Sequence, residues 1–152
     1  MSHFGELSKP TIIEYDEPIS LAEARRHSSF PFPESATNIR YACYSKFIAY
    51  IEVLRFEAPA DDCKAFAEKV IEEHNAMNPE RRVQVLRPLP ASNRMLSADE
   101  LTAPNKMLEP LKAPWFTPYA IRSGMIAGES GGHRPMIWID LEKGTLYFLL
   151  TD

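Results

Sequence analysis

Glycine and cysteine are scarce in this chain, six Gly and two Cys against thirteen Pro in 152 residues. So few glycines leave no phosphate-cradling P-loop, dinucleotide fingerprint or EF-hand loop. Two cysteines, Cys43 and Cys63, are too few for a disulfide framework and fit a reducing compartment, where a free thiol behaves as a small hydrophobe. The histidines, His3, His27, His74 and His133, stand apart with neither an H-x-x-x-H nor a C-x-x-C spacing. The expectation is therefore no metal site and no cofactor. His74 is read as closing a helix, and Cys63 as core rather than as a reactive thiolate, since Asp61 and Asp62 beside it oppose the charge.

Long apolar runs are missing too. No window reaches the roughly 18–20 uninterrupted apolar residues of a membrane span, and "MSHFGELSKP" lacks the apolar centre of a secretory signal. No membrane span is expected, and the expected location is cytoplasmic, or envelope-associated if an N-terminal signal was removed. Positive charge is also in short supply, the net charge being −4. Without a broad positive field, no nucleic-acid partner is expected. Arg81, Arg82, Arg87 and Arg94 cluster in sequence, but Glu80, Asp99 and Glu100 flank them, as on a mixed-sign surface.

What is present suits one domain, residues 1–152, with a real core: 45% of the residues are hydrophobic and 11% aromatic. Residues 1–35 read as a loosely packed N-terminal arm. It holds a short apolar "TIIEYD", a capping box at Ser20-Leu21-Ala22-Glu23 opening a helix through about Arg26, and a Phe-Pro strap at residues 30–33 pressed on the core.

Residues 36–152 read as the α+β core. Ile39, Tyr41 and Cys43 alternate on one strand, and "FIAYIEVLRFEA" forms a second that completes a hairpin. That second strand is apolar at both parities, which predicts cover on both faces, from the helix on one side and from the strap or another subunit on the other. Cys63, Phe66, Ala67, Val70, Ile71 and His74 recur at helical steps, so residues 61–77 form the main helix, ended by Asn78-Pro79. "RRVQVLRPLP" reads as a strand cut short by Pro88, and "SADE" at 97–100 as a second capping box limited by Pro104. Thr117-Pro118 opens a short helix that Gly124 ends. "MIAGE", "MIWID" and "TLYFLL" close the chain as strands, the last two joined by a turn at residues 141–144. The fold class is α+β, a mostly antiparallel sheet of about five or six strands with one main helix on one face.

Gly128-Glu129-Ser130-Gly131-Gly132 matches the G-x-S-x-G string of serine hydrolases. A nucleophile elbow needs a helix directly after the serine, and a His well downstream. Here His133-Arg134-Pro135 leads into a β-patterned run, and no His follows His133. The stretch reads as a hairpin loop, and no catalytic residue is assigned. Gly131-Gly132 could form an anion nest beside His133 and Arg134. Trp115, Phe116, Tyr119 and Trp138 could line a pocket or an interface, or pack the core. The candidate ligand-binding residues are Trp115, Arg122, His133, Arg134, Trp138 and Asp140.

At "FPFPESATNIRYACYS", "EVLRFEAPADDCKAFAEKVI" and "PMIWIDLEKGTLYFLLTD" the chain resembles a loose set of small uncharacterised bacterial proteins, some of them lipoproteins. These share a Pro-Glu-Ser-Ala lead-in and a closing hairpin rich in Trp, Asp and Gly. The resemblance spans most of residues 30–152 and implies a fold but no activity.

Two functions follow as expectations. The first is a non-catalytic binding or protein-interaction domain, with a homodimer possible through an exposed strand edge or the aromatic patch. The alternative is a small enzyme or ligand sensor built around the 130–134 loop and the nearby aromatic residues. A concave pocket favours the second and a flat apolar patch the first. The six-residue site also requires His133 and Trp138 to share a face of the sheet.

Overall fold

The computed structural model describes residues 9–47, 49–90, 111–129 and 131–151. Seven strands form one sheet: β1 (Thr11–Glu14), β2 (Thr37–Lys46), β3 (Ala49–Glu57), β4 (Arg87–Pro88), β5 (Gly124–Gly128), β6 (Arg134–Asp140) and β7 (Thr145–Thr151). Among the described residues two α-helices accompany them, α1 (Leu21–His27) and α2 (Ala60–Met77). The spatial order is β1-β2-β3-β7-β6-β5-β4, and every neighbouring pair is antiparallel. After the β2–β3 hairpin, α2 carries the chain to the far edge, from which β4 to β7 return strand by strand until β7 pairs with β3.

The α+β class is therefore as read, but the strand count exceeds the expected five or six. Strand β1 lies in the N-terminal arm, and its four residues are too few to display a period. It pairs with β2, Ile13 opposite Cys43. Within the arm, Ile19 bridges Ile39, and Ala24 and Phe32 are buried. The Ser20 half of the box forms, the Ser20 hydroxyl accepting the Glu23 amide at 3.1 Å, while the Glu23 carboxylate meets Tyr15, Arg26 and His27.

Strand alternation divides the interior into two cores. Ile39, Tyr41, Leu54, Phe56, Ile137, Ile139, Leu146 and Phe148 face α2. The helix answers with Cys63, Phe66, Ala67, Val70 and Ile71, the stripe read from sequence. Phe66 stands edge-on to Phe56, ring centroids 5.1 Å apart. Ala42, Val53, Ile126, Met136, Trp138, Tyr147 and Leu149 point the other way, against Leu111, Phe116 and Ile121. Both faces of β3 are thus covered, but the strap is not the second cover. Phe30 and Phe32 pack on Phe66, on the α2 side, and the segment after residue 110 closes the other face. A strap only a few residues beyond α1 cannot leave α1's side of the sheet.

Two shorter expectations change. The Thr117–Gly124 helix is a single 3₁₀ turn, Pro118–Ala120, without a Thr117 side-chain cap. Ile121 must reach the second core, where it is 4% exposed, and this leaves no length for an α-helix. Gly124 instead begins β5, where a Cβ would lie 2.0 Å from the Ile139 carbonyl oxygen. Of "RRVQVLRPLP", only Arg87–Pro88 joins the sheet. The "SADE" box lies outside the described residues. No helix among the described residues is long and apolar enough to cross a membrane.

Candidate functional site

The loop that carries the G-x-S-x-G string joins β5 to β6. Gly128, Gly131 and Gly132 take positive φ of 82°, 83° and 63°, and His133 follows at 58°. At Arg134 the chain enters β6, so the helix that an elbow requires does not follow. Ser130 itself lies outside the described residues. Gly128 has a structural reason: a Cβ there would sit 1.8 Å from the Pro135 carbonyl oxygen, because the hairpin strands close directly on it. The loop is further pinned by the His133 amide donating to the Thr151 carbonyl at 2.7 Å.

The six candidate residues do not converge. Trp138 is 1% exposed in the second core, edge-on to Phe116, and Trp115 packs against that same Phe116. Asp140 shapes the β6–β7 turn, its Oδ1 accepting the amides of Glu142 at 3.0 Å and Lys143 at 3.1 Å. Arg122 is exposed beyond the 3₁₀ turn. His133 lies on the α2 side of the sheet, so the proposed combination with Trp138 is corrected. The period of two that builds a sheet sends residues close in sequence to opposite faces. His133 and Arg134 remain, each beside a cleft.

The first cleft, of about 220 Å³, opens where the last turn of α2 stops short of covering the sheet. Pro135, Phe148 and Leu150 line it from β6 and β7, Phe30 from the strap, and Val70 and Met77 from α2. Ser29, Glu73, His74, Asn78 and His133 complete the lining with polar groups. The His74 ring is committed to structure, its Nε2 lying 3.0 Å from the Arg81 carbonyl. The His133 ring lies 6.3 Å from that of Tyr50.

A second feature escaped the sequence reading. Glu52, 5% exposed, sits on the α2-facing side of β3, opposite Cys43 on β2 and Leu150 on β7. Tyr41 donates its hydroxyl to Glu52 Oε2 at 2.5 Å, and the Tyr50 hydroxyl bonds both Glu52 and Cys43. His27 of α1 stacks on Tyr41 with centroids 5.1 Å apart, and the Tyr15 hydroxyl meets both Glu23 and His27. Burial pushes the Glu52 carboxyl above its ordinary range, opposed by the two tyrosine hydrogen bonds and the nearby His27. The signal was legible: a carboxylate at the parity of Tyr50, Leu54 and Phe56 in an otherwise apolar run must be buried with partners.

Comparisons with known protein families, curated proteins and solved structures found no match to this chain.

Chemically, the two features differ. Glu52 is sealed beneath α1 with its oxygens satisfied by phenols, an arrangement that holds α1 and the β2–β3 hairpin in register. Cys63 is inert by the same logic, fully buried, donating to the Ala58 carbonyl, its thiol pushed up to about 11 mainly by burial. The cleft, by contrast, offers an apolar interior and a polar rim to solvent. Among the described residues no three His, Cys, Asp or Glu side chains group to hold a metal ion.

Proposed function

We propose that this protein is a non-catalytic binding domain, of the bacterial set it resembles, that takes a small molecule with an apolar body in the cleft at the end of α2. The carrying observation is the lining itself, in which Phe30, Val70, Phe148 and Leu150 come together with the polar side chains of Glu73, His74 and His133. Apolar walls supply affinity through burial, and a few rim groups fix orientation. A flat docking face finds less support. The large exposed hydrophobics among the described residues, Ile12, Phe47, Met77, Val85 and Tyr119, are spread from one edge of the sheet to the other.

The test is a thermal-shift screen of small aromatic and aliphatic alcohols and acids on the wild type, His133→Asn and Met77→Asp. Asn tolerates the left-handed backbone at 133 while removing the ring, and Met77 is 82% exposed, so both variants should fold. A ligand that prefers the native state must raise the melting temperature. The expected result is compounds that stabilise the wild type and lose that effect in Met77→Asp. If no compound shifts the wild type, or if all three proteins shift equally, the cleft is not a binding site.

A further inference from the structure

The 131–134 loop has a second side. Between it and the turn that follows α2 lies a larger cleft of about 420 Å³, lined by Glu80, Arg81, Arg82, Gly132 and Arg134. Arg81 and Arg82 come from one wall and Arg134 from the other. Among the described residues two carboxylates stand against these three guanidinium groups: Glu80 in the lining, and Glu129, which pairs with Arg134 at 2.5 Å. The cleft is therefore locally positive in a chain whose net charge is −4.

Its walls are held rather than merely exposed. Buried Asn75 grips Val83 at both backbone groups, accepting its amide at 2.8 Å and donating to its carbonyl at 3.2 Å. The Arg81 amide donates to the Asn78 carbonyl at 2.9 Å, and the Arg81 carbonyl lies 3.0 Å from His74 Nε2. Opposite, Arg134 Nε donates to the Gly131 carbonyl at 3.0 Å. Neither Arg81 nor Arg82 forms an ion pair among the described residues. A Cβ on Gly132, the glycine that lines the cleft, would meet only Arg134 Nε at 3.6 Å, an ordinary contact, so a ligand can approach the loop backbone there. The two clefts flank the same loop and the same turn without a lining residue in common: Gly132, Arg134 and Glu80 to Arg82 line one, and His133, Pro135, His74 and Asn78 the other.

The geometry points to the arginine cleft as the seat of a phosphate-type oxyanion, the head group of the ligand whose apolar body lies in the neighbouring cleft. Guanidinium forks match the oxygens of a phosphate monoester in pairs, and a fixed turn lowers the ordering cost of binding. The inference rests on the binding reading above and adds the chemical class of its ligand.

The test separates the two. ¹⁵N-labelled protein is titrated with inorganic phosphate, with phenol and with phenyl phosphate, alongside an Arg81→Gln/Arg82→Gln double variant whose exposed substitutions leave the core intact. Phosphate should move the amides of residues 81–82 and 131–134, phenol those around Phe148 and Leu150, and phenyl phosphate both. Phenyl phosphate should bind at least about tenfold more tightly than either fragment, since linking two modest contacts makes the second intramolecular. The double variant should lose about tenfold for phenyl phosphate, with phenol unaffected. Phenol binding without phosphate shifts, or phosphate shifts undiminished in the double variant, overturns the oxyanion site and leaves the apolar cleft standing. Phosphate binding without phenol does the reverse.

Discussion

Tyr41 and Glu52 meet diagonally across β2 and β3, the phenol donating to the carboxyl at 2.5 Å where both residues are about 5% exposed or less. Because burial raises the folded-state value of Glu52 above its ordinary 4.5, the folded protein retains a proton that the unfolded chain has already released. The resulting stabilisation is complete below the ordinary value and is lost as pH rises through the folded one. Glu52→Gln, which keeps a hydrogen-bonding amide of the same shape, should match the wild type in acid and become progressively more stable relative to it toward neutral pH. Melting temperatures of both proteins from pH 4 to 8 check this. A constant difference across the range would show that folding leaves the titration of this carboxyl unchanged and would overturn the upward shift.

Gly128 and Gly131 share a positive φ but not a neighbourhood. Gly128→Ala forces a Cβ into the Pro135 carbonyl, whereas Gly131→Ala meets open space. The first should cost roughly 3 kcal/mol or more, clash added to backbone strain, and the second only about 1 kcal/mol of left-handed strain. Denaturant titrations of the two variants decide it, and equal costs would mean that hairpin closure does not depend on Gly128.

Asn75 is buried on the last turns of α2 and supplies both hydrogen bonds to the Val83 backbone. Asn75→Ala would leave a buried amide and carbonyl without partners, at a cost of roughly 2 kcal/mol or more. The Val83 amide should then exchange with solvent much faster while the β3–β7 ladder keeps its protection. Unchanged exchange at Val83 would rule out the clamp, and with it the fixed placement of Arg81 and Arg82.

Much of the fold was legible because local physics enforces it. The stripe from Cys63 to Ile71, the Ser20 cap, the alternation of Ile39, Tyr41 and Cys43 in β2 and the Gly144 turn are each short-range patterns, and each forms. The candidate site was not legible in the same way. Trp138 and His133 are five residues apart, yet one is buried in the second core and the other borders a cleft on the α2 side. Glu52 carried a signal, a charge at a core parity, but its partner Tyr41 could be named only once the register was known.

The sequence by itself determined the elements, since helical and strand periods, caps and proline breaks act over a few residues. Only the tertiary structure decided which face each strand presents to α2, that the strap shares that face, and that Arg81 and Arg82 come round to meet Arg134. These depend on strand order and register, which are set by pairing residues far apart in the chain, and no local period records them.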